Sequence, residues 1–231
     1  MPQYLLHEGV SELTVCLRLQ GGRLDRAVNV TLSTRVGTAQ ANADYTTDPI
    51  KIEFLPTDTI NVNLTCVEIA ITDDEVVERN ESFELFLTTA EPAIILSPNV
   101  TTLTIIDNDN VMLALSQSHV TVQESARDLD ITVELFGDLQ REVVVLLESM
   151  DGTASFLRGD YAGFSELLTF HPGSRTGSIV SYTATLEDDH AVEDLEYFVV
   201  HATSLDKQVQ FEPHRENITI YIEDNDGRYQ W

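Results

Sequence analysis

The sequence predicts an all-β chain made of two tandem antiparallel β-sandwiches, and three observations predict it. Apolar residues alternate with polar ones, as at Leu13, Val15, Leu17 and Leu19, which is the two-residue period of a strand with one buried face. Turn signals recur every ten residues or so, and no stretch sustains a period of 3.6. The chain also repeats itself. Glu8 and Asp44 match Glu124 and Asp160 at an offset of 116, Asp73 and Glu81 match Asp188 and Glu196 at 115, and Asp107 and Asp109 match Asp224 and Asp226 at 117.

In the first repeat the alternation predicts a short strand before Glu8, then strands near 12–20, 27–36, 50–55, 60–72, 82–89 and 100–106. About seven strands in a repeat of this length is the rhythm of a seven-stranded, immunoglobulin-like sandwich. The second repeat opens with "VMLALSQSHVTVQ" where the first has only "MPQYLLH", so the opening strand of the first is expected to be incomplete. The expected domains are 1–109 and 110–226, with "GRYQW" at 227–231 as a tail or the start of a further repeat.

Of 231 residues, 42% are hydrophobic, enough for a core, and 39 acidic residues against 13 basic ones give a formal charge of −26. Such a surface repels nucleic acid and anionic membrane and attracts cations. No run approaches the roughly 18 to 20 apolar residues that cross a bilayer, and "MPQYLLHEGV" has neither a basic start nor an apolar signal core. Five Asn-x-Ser/Thr sequons, at Asn29, Asn63, Asn80, Asn99 and Asn217, point to an extracellular segment of a larger protein. Asn29 and Asn217 alternate with core residues and are expected to face solvent. Asn80 lies in an acidic loop, Asn99 is a further acceptor, and Asn63 falls in phase with the core residue Val67.

Only two cysteines occur, Cys16 and Cys66, which excludes a zinc framework. Both fall out of phase with their apolar neighbours and point away from the core, as two half-exposed thiols or as one cross-strand disulfide.

The acidic residues have an order. If each strand runs antiparallel to the one before it, successive loops fall alternately at the two ends of a sandwich. Glu8 follows the first strand, Asp44 the third, Asp73, Asp74, Glu78 and Glu81 the fifth, and Asp107 and Asp109 the seventh. All are odd junctions and share one pole. The second repeat provides the same set as Glu124, Asp160, Asp188, Asp189, Glu193, Glu196, Asp224 and Asp226. Like charges 4 Å apart repel by about 4 kcal/mol at an effective dielectric near 20, so a hard cation is needed to offset them. Calcium, with six to eight oxygen ligands in flexible geometry, suits this set better than magnesium or a transition metal. An isolated acidic run is usually a solvated loop; four sequence-distant clusters recurring in two copies favour the metal.

Both copies resemble the Calx-beta domain. The resemblance rests on "EG" at 8–9, "GTAQANADY" at 37–45 and "DGTASFLRGDY" at 151–161, "FLPTDT" at 54–59 and "FHPGSRT" at 170–176, "DDEVVERNESFEL" and "DDHAVEDLEYFVV", and a closing "DND" in each copy. It implies a seven-stranded sandwich that binds calcium through the loops at one end. Two departures stand out. Asn108 and Asn225 replace the middle aspartate of the family's tightest binders, and "ESARD" lacks the glycine that usually follows the glutamate. A cadherin repeat is the rival, since "DNDN" at 107–110 resembles a cadherin linker, but no proline-aromatic pair follows Asn110 and no cadherin-like acidic triplet sits in mid-domain.

"RGD" at 158–160 matches an integrin motif, but Asp160 aligns with Asp44 and is expected at the acidic pole. His190 sits beside that pole, while His7, His119, His171, His201 and His214 are scattered. No nucleophile motif or phosphate loop appears, and the chain is not read as an enzyme. The expected function is a calcium-binding structural or adhesion module of a larger extracellular or cell-surface protein, with ions stiffening the joint between repeats and protein or matrix partners. The alternative is a cytosolic calcium sensor on a transporter such as a sodium/calcium exchanger. A carbohydrate-binding sandwich is a third.

Overall fold

The structure is a computed structural model that describes residues 3–10, 12–20, 24–56, 63–91 and 95–226. The start of the strand expected over 60–72, the end of "FLPTDT" and the tail 227–231 lie outside the described residues. Two compact units form, one from Met1–Asp74 and Arg79–Asn108, the other from Glu75–Glu78 and Asp109–Trp231.

The first unit contains β1 (Gln3–His7), β2 (Glu12–Leu19), β3 (Val28–Val36), β4 (Ile50–Phe54) and β5 (Asn63–Ala70). After β6 (Val76–Val77), which belongs to the other unit, come β7 (Glu81–Glu91) and β8 (Val100–Ile106). One sheet has the order β1-β8-β7-β3-β4 and the other pairs β2 with β5. Alternation decides which face is buried. Val28, Val30 and Leu32 of β3 turn into the core while Asn29 stays exposed. Each such side chain contributes about 1.5 to 3 kcal/mol relative to exposure. Leu13, Val15 and Leu17 of β2 cover that core from the other sheet. Cys16 and Cys66 stand directly opposite in the β2–β5 ladder and are joined by a disulfide.

The second unit contains β9 (Val111–Leu115), β10 (His119–Gln123), β11 (Asp128–Phe136), β12 (Asp138–Leu139), β13 (Val143–Asp151), β14 (Ser165–Phe170) and β15 (Ile179–Thr185), then β16 (Glu196–Thr203), β17 (Val209–Phe211) and β18 (Asn217–Glu223). Its sheets run β10-β18-β16-β13-β14 and β15-β11-β9-β17, with β12 also pairing with β6. The single opening strand expected from "VMLALSQSHVTVQ" is two strands in different sheets. β9 lies between β11 and β17, so the successive residues Leu113, Ala114 and Leu115 are all fully buried. After the polar Ser116–Ser118 the chain crosses over, and β10 pairs with β18.

Two further features concern pairing and packing. The opening strand pairs in parallel with the closing one, β1 with β8 and β10 with β18, as alternating chain direction requires of a first and a seventh strand, so each of these sheets contains one parallel pair. Residues 75–78 and Asp109, which the sequence places in the first repeat, pack with the second unit. The cause is packing within that unit. Val77 is 0% exposed in its core, the Gln140 N–H donates to the Val77 carbonyl at 3.0 Å, and Arg141 Nε donates to the Glu78 carbonyl at 3.0 Å.

Candidate metal centres

Parallel pairing of the opening and closing strands builds the centre of each acidic pole. Gln123 is registered with Glu223, so both strands end at the same level and the next residues, Glu124 and Asp224, meet. Glu124, Asp224 and Asp226 each offer an oxygen within 4.8 Å of the others, and so do Asp160, Glu193 and Glu196. The two groups are contiguous. One small cavity is lined by Glu124, Asp160, Glu193, Asp194, Glu196 and Asp224, and the Glu193 N–H donates to Asp224 Oδ2 at 2.9 Å. Asp188 lies close by, its Oδ1 accepting from Asn225 Nδ2 at 3.2 Å.

Crowding leaves its mark on these acids. Glu124 is only 3% exposed, and burial, reinforced by Asp224, Asp226 and Asp189, pushes its pKa up against the lowering effect of the Asn225 N–H. Burial and then Asp160 push Glu193 and Glu196 up as well, with Arg158 acting in the opposite direction. Asp226 Oδ2 is buried and accepts no hydrogen bond, a costly state for a carboxylate oxygen. Together these observations describe a pocket of oxygen donors with too little positive charge.

The Asp160 segment is tied to the start of β16 by the repeated "GTA" motif. The Tyr197 N–H donates to Thr153 Oγ1 at 2.9 Å, and the Ala154 N–H donates to the Tyr197 carbonyl at 2.9 Å. Gly152 must be glycine, because a Cβ there would overlap that same carbonyl. The first unit repeats each bond. Ser82 N–H donates to Thr38 Oγ1 at 2.8 Å, Ala39 N–H to the Ser82 carbonyl at 3.0 Å, and Gly37 sits against that carbonyl. Below this junction Tyr45 stacks on Phe83, and Tyr161 on Phe198. The sequence singled out the motif but not these roles. The aromatic pairs could have been found, since each recurs at the repeat offset.

In the first unit His7 is registered with Ile106, and Glu8 and Asp107 offer oxygens within 4.8 Å of each other, as do Asp44 and Glu81. The Gly9 N–H donates to Asn108 Oδ1 at 3.2 Å, and a Cβ on Gly9 would lie 3.9 Å from Asp73 Oδ1. The Thr72 N–H donates to the Asp44 carbonyl at 2.9 Å, which brings the Asp44 loop to the start of the acidic run. Asp74 is exposed in that run, and Glu78 and Asp109 belong to the second unit.

Two arginines stand at the second unit's pole. Arg127 Nη2 lies 3.2 Å from Asp188 Oδ2, and Arg158 Nε lies 4.0 Å from Asp160 Oδ2. Of the "RGD" residues, Asp160 has a side chain only 11% exposed and accepts the Ser155 N–H at 2.6 Å. Its carboxylate is committed to the pole. His190 Nδ1 lies 3.8 Å from Asp226 Oδ1. Among the sequon asparagines, Asn29, Asn80 and Asn99 are exposed, while Asn217 is half-buried with its Oδ1 hydrogen-bonded to the His201 ring. Among the described residues no helix is long and apolar enough to cross a membrane.

Comparison with known proteins places these sites in context. The chain is 29% identical over 209 residues to extracellular matrix protein 3 of Lytechinus variegatus, covering 85% of this chain and 6% of that protein. It is 29% identical over 171 residues to adhesion G-protein coupled receptor V1 of Danio rerio, covering 69% and 3%. Against sodium/calcium exchanger 1 of Rattus norvegicus it is 28% identical over 171 residues, covering 66% and 17%. The chain therefore spans a small part of each of these relatives. Among solved structures, the apo-form Calx CBD1 domain aligns at 26% identity and a TM-score of 0.47, covering 51% of this chain and 100% of that one. The two-domain CBD12 from CALX1.2 aligns at 19% identity and a TM-score of 0.43, covering 96% of each. A model of the Calx-beta domain matches residues 1–109 and again 107–226, and the chain belongs to the Calx-beta family.

Proposed function

We propose that the chain is a calcium-binding structural or adhesion module of a larger extracellular or cell-surface protein. The observation that carries this reading is the meeting of Glu124, Asp224 and Asp226 within 4.8 Å, with Glu124 buried and Asp226 Oδ2 buried without a hydrogen bond. The donors are carboxylate oxygens, with no histidine or cysteine among the four groups, which suits calcium and not zinc. Glu124, Asp188, Asp189, Asp224 and Asp226 would hold one ion or ion pair, and Asp160, Glu193 and Glu196 would close the other side. In the first unit the corresponding ligands are Glu8, Asp44, Asp73, Asp74, Glu81 and Asp107. Calcium supplies the positive charge that offsets carboxylate repulsion and so orders the loops that bear them. This is a binding role, not a catalytic one.

An extracellular setting is supported by the Cys16–Cys66 disulfide, which reducing compartments disfavour, by the exposed sequons at Asn29, Asn80 and Asn99, with Asn217 as a further acceptor, and by likeness to a matrix protein. Ion-dependent stiffening between repeats belongs to the same reading, because only Asn110 separates Asp109 from β9. A second reading, a cytosolic sensor attached to a transporter, is favoured by the likeness to sodium/calcium exchanger 1. Occupied glycans at Asn29 or Asn99 on protein from secreting cells would exclude it.

The test is calorimetric titration of calcium into the metal-stripped chain. Saturable binding that weakens at least about tenfold in Glu124→Gln/Asp226→Asn, the loss of about 1.4 kcal/mol or more, is expected. Absence of binding at millimolar calcium overturns the proposal.

A further inference from the structure

The two repeats differ in how their acidic poles are charged. At the positions of Arg127 and Arg158 the first repeat has Ser11 and Asn42, both at the offset of 116. Neither arginine reaches the pole by chance flexibility of a distant surface loop. The Arg127 N–H donates to the Glu124 carbonyl at 3.1 Å, and its own carbonyl accepts the Leu186 N–H at 2.7 Å. Its backbone is thus clamped between a candidate ligand and the end of β15. It also holds a φ of 63°, uncommon for a residue with a long side chain. From there Nη2 reaches Asp188 Oδ2 at 3.2 Å. Arg158 is anchored by a hydrogen bond from Nη2 to the Thr153 carbonyl within the "GTA" motif, which leaves Nε 4.0 Å from Asp160 Oδ2.

We propose that Arg127 and Arg158 are tethered counter-cations of the second unit's acidic pole. They carry out part of the charge neutralisation that calcium performs in a pole without them, and they weaken calcium binding there. The inference rests on the calcium reading above and adds its regulation. Two physical effects combine. A calcium ion at Asp188 or Asp160 is repelled by a guanidinium a few ångströms away, and the carboxylate oxygen it needs must first leave that guanidinium. Both side chains are largely exposed, 70% for Arg127 and 64% for Arg158, so solvent screens the effect and each arginine can swing outward when an ion arrives. The second unit then keeps its pole more ordered at low calcium than it would without the two arginines.

The experiment compares the full chain with Arg127→Ser, Arg158→Asn and the double variant, the substitutions that restore the first repeat's residues. Calcium is the probe, read by calorimetry, and thermal unfolding is followed with calcium removed and at millimolar calcium. The double variant is expected to tighten the weaker class of sites by about threefold to tenfold. Its unfolding midpoint should fall when calcium is removed and recover when calcium is added. Arg127→Lys, which keeps the charge, should stay near wild type, and Asp188→Asn added to the double variant should abolish the gain. If wild type and double variant bind calcium with equal affinity, the counter-cation proposal is overturned and the calcium reading stands. If neither binds calcium, both fall. A midpoint that drops equally with and without calcium makes the arginines merely structural and also overturns the proposal.

Discussion

The ring of Tyr161 lies on that of Phe198 with centroids 4.0 Å apart and planes within 7°. Tyr161 follows Asp160, and Phe198 comes two residues after Glu196, so one buried contact joins the two chain segments that carry a candidate ligand group. Tyr45 and Phe83 repeat it at 3.8 Å and 7° beside Asp44 and Glu81. Phe198→Ala should cost about 3 to 5 kcal/mol in chemical unfolding. Phe198→Leu should cost less and still weaken calcium binding, because Asp160 and Glu196 lose their shared floor. A Phe198→Leu protein that melts lower yet binds calcium as wild type would show that the stack supports the fold alone.

A second prediction concerns Gly152. Its Cβ-free surface lets the chain lie against the Tyr197 carbonyl while Thr153 and Ala154 hydrogen-bond to the same residue. Gly152→Ala forces the two backbones apart, and because the obstacle is backbone, no side-chain rotation relieves it. Overpacking of this kind costs about 1 to 3 kcal/mol. Gly173→Ala is the contrast, since nothing lies within 4 Å of a Cβ there and the strain comes from its φ of +89° alone. Thermal melts should rank Gly152→Ala as the more damaging, and equal losses would refute the close-approach account.

The disulfide yields a third. Cys16 and Cys66 are 50 residues apart in sequence, and on the chain-entropy model closing such a loop stabilises the folded state by about 4 kcal/mol. Reduction, or Cys16→Ser/Cys66→Ser, should lower the first unit's unfolding midpoint and leave the second unit's transition in place. A protein whose two transitions both ignore reductant would contradict this.

Alternation along β2, β3 and β5 made the sandwich class legible, and the repeat offset made the acidic pole legible, because both are encoded in short-range spacing or internal comparison. The crossing of the opening strand between β9 and β10 was not, since only the polar Ser116–Ser118 marks it and the deciding partner, β18, lies a hundred residues on. Val76 and Val77 looked like part of an acidic loop, yet Val77 is a core residue, and two apolar residues are too few to register as a period. The phase of the two cysteines showed which way they point, but their bond depends on the β2–β5 register. Arg127 and Arg158 show in the sequence only as departures from Ser11 and Asn42 of the first repeat, and their partners were not legible, because an arginine's partner is set by loop geometry and not by local spacing.

The last prediction is a reversal of pH dependence. Burial raises the folded-state pKa of Glu124, Glu193 and Glu196 above the ordinary value of 4.5, with neighbouring carboxylates adding to it. A carboxyl with a raised folded pKa holds its proton more tightly folded than unfolded, so acidification favours the folded state through the window between the raised values and about 4.5. Below that window the unfolded chain is protonated too and the gain stops. Asp151, whose pKa is lowered first of all by the Tyr161 hydroxyl, acts in the opposite sense, but only as pH falls below its ordinary 3.8. Metal-stripped protein should therefore become more stable as pH falls from neutral through the raised values toward the ordinary 4.5. With saturating calcium the same carboxylates are held ionised, protons compete with the ion, and stability should fall over that range. Thermal midpoints measured against pH in the two conditions should slope in opposite directions, and parallel slopes would mean that these glutamates do not meet the ion.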